Sequence, residues 1–575
     1  MALSNEAGSR PSWRGLAAVA AVALAFAALC FTFGDAFRVP FINDDFIFLD
    51  RTRDLDFFSL WRTDSLMFGW YRPWSRELHY WWLQLWGSPS PIAFHAVSFT
   101  LVLLTLFGYY ALAKQAAGPV AAAIALAGAA AMGAWAVPML WSAGAQELWM
   151  LFAVMLCLVS HAAGWKPVAA VAFAIALLSK ETAAATIVIA FLYSLTVKRS
   201  DLRTALVDIL PMGVVLVAWA LIHPTVMHRL TTLGTPGEAS NPLNPGPTAV
   251  LVRSLLMLFN LDAAIGPERG WLGPLASGLP AALALGLLVW LGTQGARGGF
   301  PFPMEKVRAL GFGLGWAALA WLPLLDPRIG WHSYYGLLGA LGAWLALGAL
   351  MSHVHLRYVA LAVVMISAFL RAGAAATPSS DWGSAWYQRR AADFLVFMRE
   401  DLQQKLPHPP SRSRIYFTGV PSQIGFLTEG APALRVWYAD TSLSGGFLSQ
   451  YERRGVWEGT DFFFRYDSTA GWRPLSEERA LTEAGDDRWL ADHSEMAAAF
   501  VKAEDWEAAG REYQALAERD PSDPRYAEGL AISYAMNGDS AQAAHWFGVA
   551  AGLPGADSSL KRIAREFNQS IKSSR

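Results

Sequence analysis

Residues 15–34 read GLAAVAAVALAFAALCFTFG, an unbroken run without a charge. As a helix it is about 30 Å long, the thickness of a bilayer's hydrocarbon core. Arg10 and Arg14 precede it. A first membrane span with a cytoplasmic N-terminus is the primary reading, and a cleaved signal peptide the competing one. Working outward, further apolar runs fall at about 92–113, 117–138, 147–164, 167–179, 182–197, 205–223, 271–294, 309–325, 336–352 and 357–372, which makes about eleven candidate spans. The stretch 249–265 is also apolar, but Arg253 and Asp262 interrupt it. It reads as a helix lying at the membrane interface.

Composition agrees with a polytopic α-helical membrane protein. Of 575 residues, 54% are hydrophobic and 16% charged, against about 25% charged in ordinary soluble domains. The deficit is confined to the first part. Residues 1–373 read as the transmembrane domain, 374–485 as a small soluble α/β module, and 486–575 as a helical repeat region. A net charge of −1 gives no ground for nucleic-acid binding. The 26 Trp suit indoles placed at bilayer interfaces. Cys30 and Cys157 both sit in apolar runs and read as small core residues, not as a disulfide or metal pair.

Lys114, Lys166, Lys198 with Arg199 and Arg203, Lys306 with Arg308, and Arg357 fall in alternate loops. The positive-inside rule makes those loops cytoplasmic. With an odd number of spans, the C-terminal region is then extracytoplasmic (periplasmic, for a cell inner membrane), as is the first long loop, about 35–91. That loop holds six Arg, offset by eight acids.

In the tail, Phe394, Met398 and Leu402 recur every four residues, the signature of an amphipathic helix. Ile415-Tyr416-Phe417 and Phe462-Phe463-Phe464 read as strands. From about 490 the chain repeats at 34 residues: Ala497 with Ala531, Phe500 with Tyr534, Ala509 with Ala543, Tyr513 with Phe547. Small and aromatic residues kept in phase at this period are similar to tetratricopeptide repeats. A last amphipathic helix at 558–571 would cap the stack. An unrelated helical hairpin is the alternative. Such repeats commonly bind protein or peptide partners.

Chemistry concentrates in the first outside loop. It carries Phe41-Ile42-Asn43-Asp44-Asp45-Phe46, then Tyr71-Arg72-Pro73, with Phe94-His95 opening the second span. Adjacent carboxylates beside a membrane are costly unless they serve a purpose; the plain alternative is that Asn43 or Asp44 caps a short helix starting at Asp45. Lys180-Glu181 lies between two apolar runs too short to span comfortably, so the pair faces a water-filled cavity or forms a local ion pair in a tight turn. Glu147 sits at the outer end of the fourth span, in a catalytic or a structural part.

An apolar first span, a long loop opening on an acidic pair, Tyr71-Arg72-Pro73 and Phe94-His95 together resemble the GT-C glycosyltransferases, in particular the protein O-mannosyltransferases that carry tetratricopeptide repeats and their bacterial relatives. Val137-Pro138 with Trp141, Gly144 and Glu147 resembles that family too. So do Leu177-Leu178-Ser179-Lys180-Glu181-Thr182 and Trp331-His332-Ser333-Tyr334-Tyr335. Gln146 stands where the family often has Arg, His332 to Tyr334 where it often has an Arg-Tyr pair, and Ser98 where its second span is Asn-rich. These departures bear on the donor-phosphate ligands more than on the acidic pair.

The resemblance implies transfer of a sugar from a polyprenyl-phosphate-linked donor, embedded in membrane lipid, to a hydroxyl of a protein, glycolipid or polysaccharide acceptor. A phosphate leaving group is already anionic and needs cations more than a general acid. The acceptor hydroxyl needs a carboxylate to take its proton. Asp44 is the expected base, with Asp45 orienting the acceptor or holding Asp44. Lys180, Arg72, Arg328 and His332 are the expected donor-phosphate clamp, with Tyr71, Glu181 and Glu147 beside them. Nothing in the sequence demands a cofactor, and no metal-ligand set is visible, although an acidic pair admits a divalent cation. The rival class is a non-enzymatic membrane scaffold or assembly factor for envelope glycan export that recruits partners through the repeats; a transporter is a third option, poorly served by the lack of mid-span polar residues.

Overall fold

The computed structural model describes residues 13–64, 70–87, 89–224, 226, 244–262, 272–296, 303–352, 357–372, 381–420, 430–453, 459–556 and 558–574. Arg10, and the expected boundary between residues 373 and 374, lie outside them. The chain forms two compact units, Met1–Phe397 and Met398–Arg575.

Unit 1 is helical. Its elements in order are α1 (Trp13–Phe33), α2 (Asp45–Thr52), α3 (His79–Gln84), α4 (Pro91–Ala117), α5 (Pro119–Ala130), α6 (Ala136–Leu140), α7 (Ala145–Ala162), α8 (Lys166–Leu177), α9 (Ala185–Thr196) and α10 (Leu202–Ile222). Then come α11 (Pro247–Met257), α12 (Leu272–Ala296), α13 (Met304–Trp321), α14 (Leu337–Met351) and α15 (Arg357–Ala372). Among the described residues six helices are long and apolar enough to cross a membrane; a seventh would be the pair Pro119–Ala130 and Gly133–Leu140, bent by 57°. The expected eleven spans are not matched one for one. Lys166–Leu177, Glu181–Thr196, Pro247–Met257 and Leu275–Leu287 are apolar but short, and a 12-residue helix reaches only about 18 Å. Hydropathy counts apolar runs without seeing where the backbone breaks.

Close backbone approach organises the centre. A Cβ at Gly342 of α14 would lie 2.7 Å from the backbone nitrogen of Ala317 in α13, so glycine there lets the helices touch main chain to main chain. Tyr109 of α4 donates its hydroxyl to the Leu341 carbonyl at 2.7 Å. Trp135, Trp316 and Trp344 are fully buried among the helices. These indoles fill the core, not the interface to which tryptophans were assigned. Cys30 and Cys157 are free thiols, the second buried.

The helices have two chemically different ends. At the C-terminal end of α7, Lys198 donates to the His161 carbonyl at 2.6 Å, and Lys166 pairs with Asp208 at 2.8 Å. Lys306 reaches the Ala117 carbonyl and Ser352. Cations of the alternate loops therefore gather where α4 and α7 end. The opposite end of α7 carries the groups described below.

The helix expected around Phe394 is α16 (Ala385–Lys405). The two compact units divide within it. Arg389 in its first half pairs with Asp35, while its second half offers the Met398 carbonyl to the Trp472 indole at 3.0 Å. Unit 2 continues with β1 (Arg414–Thr418), α17 (Pro432–Trp437), β2 (Ser444–Phe447), β3 (Asp461–Asp467) and β4 (Gly471–Pro474). The sheet order is β2-β1-β3-β4, with β1 parallel to both neighbours and β4 antiparallel to β3. Five helices follow: α18 (Glu477–Lys502), α19 (Trp506–Arg519), α20 (Pro524–Met536), α21 (Ser540–Gly552) and α22 (Ser558–Ser574). The expected module boundary at 486 falls inside α18, because Ala480 and Ala484 close the sheet's core against Tyr416, Leu448, Tyr451 and Phe463. Of the eight positions kept at 34-residue spacing, Ala497, Ala509, Ala531, Ala543 and Phe547 are buried and Phe500, Tyr513 and Tyr534 are half-buried.

Candidate active site

The acidic pair sits on a turn made by Asn43, whose φ of 49° is left-handed, a conformation asparagine tolerates better than most residues. Helix α2 does start at Asp45 with Asp44 as the residue before it, but the Asp44 side chain makes no capping bond. Asp45 shapes the turn instead. Its carboxylate accepts from the Ile42 backbone N–H at 2.9 Å, the Tyr80 hydroxyl at 2.6 Å and the Ala143 backbone N–H at 2.8 Å. It is completely buried. Burial pushes its pKa up to about 7, although all three hydrogen bonds favour the charged form. Asp45 therefore ties the turn to α3 and to the loop before α7, and both its oxygens are engaged. Asp44 is half-buried beside it, and its charge acts on Asp45 and on the Tyr387 phenol. Both Asp45 oxygens are taken by these bonds, and among the described residues no group of three His, Cys, Asp or Glu side chains is arranged to hold a divalent ion.

The second constellation forms where α8 stops. Lys180 takes an extended conformation there, φ −164° and ψ 137°. The break is held from the first loop: Trp74 N–H donates to the Leu178 carbonyl, and Ser75 Oγ to the Ser179 carbonyl at 2.8 Å. Lys180 and Glu181 do not form a local pair, the alternative reading of this motif; each pairs with a different residue. Lys180 Nζ pairs with Glu147 Oε2 and lies 4.3 Å over the Tyr335 ring and 5.0 Å over that of Tyr334. Arg72 forks onto Glu181, with Nε at 3.0 Å and Nη2 at 2.7 Å from Oε2. Its Nη1 donates to Gln146 Oε1 at 3.1 Å. His223 adds a ring nitrogen 3.7 Å from Glu181. Tyr71 packs edge-on against His223 and donates its hydroxyl to the Trp61 carbonyl. The array alternates in sign, which is how charges persist in a low-dielectric setting.

The start of α7 joins the two constellations. Ala143 donates to Asp45, Gln146 donates to the Ala143 carbonyl at 3.2 Å and accepts from Arg72, and Glu147 holds Lys180. A Cβ at Gly144 would strike the Val137–Pro138 backbone, so glycine lets this turn close. A second link is aromatic. Trp141 Nε1 donates to the Ile42 carbonyl at 3.1 Å, and its ring meets Trp382 edge-on at 5.8 Å. Trp382 lies 3.7 Å from the His332 ring and 5.9 Å from Tyr334, between ring centroids.

His332 thus joins the site as a neighbour of Tyr334, with its Nδ1 2.9 Å from Asp381 Oδ1. That hydrogen bond holds the Asp381 carboxyl below its ordinary range against the opposing effect of burial. Arg328 is not brought to the array by these contacts: it forks onto Asp326 of its own turn at 2.8–3.2 Å. Sequence reasoning did not single out His223, Asp381 or Trp382. His223 ends an apolar run with no partner nearby in sequence. Asp381-Trp382-Gly383 sits in a polar stretch whose only signal is its turn-forming composition.

No family model matches the chain, and no curated protein matches it. Among solved structures it is similar to the Archaeoglobus fulgidus oligosaccharyltransferase in the apo form, with a TM-score of 0.40 and 12% identity over 76% of this chain and 65% of that one. For the same archaeal enzyme, AglB, in complex with an inhibitory peptide and a dolichol-phosphate, the TM-score is 0.37 with 13% identity over 76% and 64%. For ArnT from Cupriavidus metallidurans it is 0.31 with 15% identity over 74% and 84%. The chain thus spans just under two thirds of the oligosaccharyltransferase's length. Likeness at these scores fixes neither a fold family nor an activity.

Proposed function

We propose that this protein is a GT-C-type membrane glycosyltransferase that moves a sugar from a polyprenyl-phosphate-linked donor to an acceptor hydroxyl on the extracytoplasmic face. The observation that carries the reading is the joining of an acidic turn to an array of cations, Arg72 and Lys180, through the first turn of one apolar helix. Transfer from a lipid phosphate needs these two things: cations for the departing anion and a carboxylate for the acceptor's proton. The loop cations collect at the other end of that helix. The positive-inside rule makes that end cytoplasmic, which supports a site outside and, for a bacterial host, at the periplasmic face of the inner membrane. Asp45 is locked by three hydrogen bonds, so Asp44 is the base and Asp45 its support. Arg72 and Lys180 take the donor phosphate, with Tyr71, Glu181, Glu147 and His332 around them. Arg328, engaged by Asp326, is left out of the clamp. The helices from α18 onward form a tetratricopeptide-like platform for the acceptor or a protein partner.

The test is transfer to envelope acceptors, scored by mass spectrometry of glycans and glycoproteins with wild-type protein or Asp44→Asn. Loss of the base should lower turnover by about two to four orders of magnitude at normal protein levels. Full transfer by the Asp44→Asn, Asp45→Asn double variant would overturn the mechanism and favour a non-enzymatic scaffold.

A further inference from the structure

Cations that receive a phosphate and a carboxylate that receives a proton must be separated by the group transferred between them. The rings described above occupy that interval. Lys180 lies over Tyr334, Tyr334 is beside Trp382, Trp382 meets Trp141, and Trp141 is bonded to Ile42, two residues before Asp44.

Trp382 is held in place from its backbone. Its carbonyl accepts from Gln388 Nε2 at 2.5 Å, and the Ser384 N–H closes the turn onto the Asp381 carbonyl. Asp381 Oδ1 accepts from the Gly383 N–H at 2.7 Å. A Cβ on Gly383 would come within 3.0 Å of both Asp381 Oδ1 and His332 Nδ1, so the turn packs tightly over the histidine. Yet the Trp382 ring itself is only partly buried, and its indole N–H has no hydrogen-bond partner among the described residues. His332 is 3% exposed. Its Nδ1 lies against Asp381, and no hydrogen bond among the described residues engages Nε2. A pyranose asks for this combination: an apolar ring face to cover its C–H surface, and polar atoms at the edge for its hydroxyls.

We propose that Trp382, seated on the His332–Asp381 pair and flanked by Trp141, is the subsite for the sugar ring of the lipid-linked donor. The inference rests on the glycosyltransferase reading and assigns its sugar specificity to a turn that follows the last apolar helix of unit 1. His332 hydrogen-bonds a sugar hydroxyl through Nε2, and Asp381 is a positioning residue that orients the imidazole.

Binding separates the sugar's contribution from the phosphate's. Full-length protein in lipid nanodiscs is titrated with undecaprenyl phosphate, and with undecaprenyl phosphate carrying one hexose, one N-acetylhexosamine or one pentose. Wild-type protein should bind at least one glycosylated probe about tenfold more tightly than the bare lipid. Trp382→Ala should cut that ratio to about twofold or less while bare-lipid affinity holds, and Trp382→Phe should keep part of it. Arg72→Ala should weaken every probe alike. The subsite is wrong if Trp382→Ala leaves the ratio intact, if it weakens bare and glycosylated lipids equally, or if wild-type protein never distinguishes them. In each of those cases loss of bare-lipid binding in Arg72→Ala still supports the phosphate clamp. Failure of wild-type protein to bind any probe would remove the glycosyltransferase reading and this subsite together.

Discussion

Lys180→Met would expose how the cation array is built. Glu147 is 1% exposed at its side chain and Lys180 7%, so each charge depends on the other. Removing the ammonium leaves a buried carboxylate unpaired, which costs about 3–5 kcal/mol. Glu147→Gln is milder, about 1–3 kcal/mol, because an amide oxygen still accepts from Nζ and the Tyr334 and Tyr335 faces remain under the cation. The double variant buries no charge at this point. It should therefore be more stable than Lys180→Met alone, with a coupling of about 2 kcal/mol or more against the summed single changes. The assay is unfolding of the purified protein in a denaturing-detergent titration, followed by tryptophan fluorescence, beside binding of undecaprenyl phosphate. Both proteins lacking Lys180 should bind the lipid phosphate weakly, whatever their stability. Additive destabilisation in the double variant would refute the buried pairing; unimpaired lipid binding would refute its use as a phosphate ligand.

Asp45 gives a pH signature. Its folded pKa of about 7 lies above the ordinary 3.8, so the folded state holds the proton more tightly; its contribution is complete below about pH 4 and is lost as pH rises through about 7, up to about 4 kcal/mol in all. Unfolding midpoints of wild-type protein should fall between pH 5 and 8 more steeply than those of Asp45→Asn, and parallel profiles would sink the assignment. Orientation is checked with single cysteines introduced at Asp64 and Arg199, both exposed: a membrane-impermeant maleimide on intact cells should label the first and spare the second, and the reverse pattern would invert the topology.

Residues carrying charge in apolar surroundings were legible as site candidates because such charge is costly. The structure brings Arg72, Glu147, Lys180 and Glu181 into one array. Their pairing was not legible, since Arg72 and Glu181 are 109 positions apart and Lys180 and Glu147 are 33 apart. A local pair of Lys180 with its sequence neighbour was one of the two readings of the motif; an extended backbone at Lys180 sends the two side chains to different partners instead. Arg328 shows the converse: two residues from an acid, it is engaged locally. The acidic pair was legible, with Asp44 as the expected base and Asp45 beside it; the physical difference between them was not, because the fold turns Asp45 inward to three donors and leaves Asp44 half-buried. Asp381 and Trp382 belong to no periodic pattern, and their partner His332 lies 49 residues away. Apolar runs were legible as helices, whereas their number as spans depended on breaks and bends that hydropathy does not register.

Alternating charge also sets which ion pair can exchange. A donor phosphate entering the array must displace a carboxylate from a cation, since two bare cations at low dielectric would be unstable beforehand. Lys180–Glu147 is nearly sealed from solvent, whereas Arg72 and Glu181 are 16% and 18% exposed. Arg72 also presents a planar fork suited to two phosphate oxygens as well as to two carboxylate oxygens. Glu181 is therefore the occupant that the phosphate replaces, and Glu147 the one that stays. Glu181→Gln keeps the shape and a hydrogen-bond acceptor for Arg72 but removes the competing charge. It should bind undecaprenyl phosphate more tightly than wild-type protein, by about tenfold if roughly 1.4 kcal/mol of ion pairing no longer has to be broken. Glu147→Gln should not tighten binding, because Lys180 stays hydrogen-bonded to the amide oxygen and nearly sealed from solvent. Weaker phosphate binding in Glu181→Gln would mean that Glu181 positions Arg72 for the donor instead of yielding to it, and the exchange described here would be wrong.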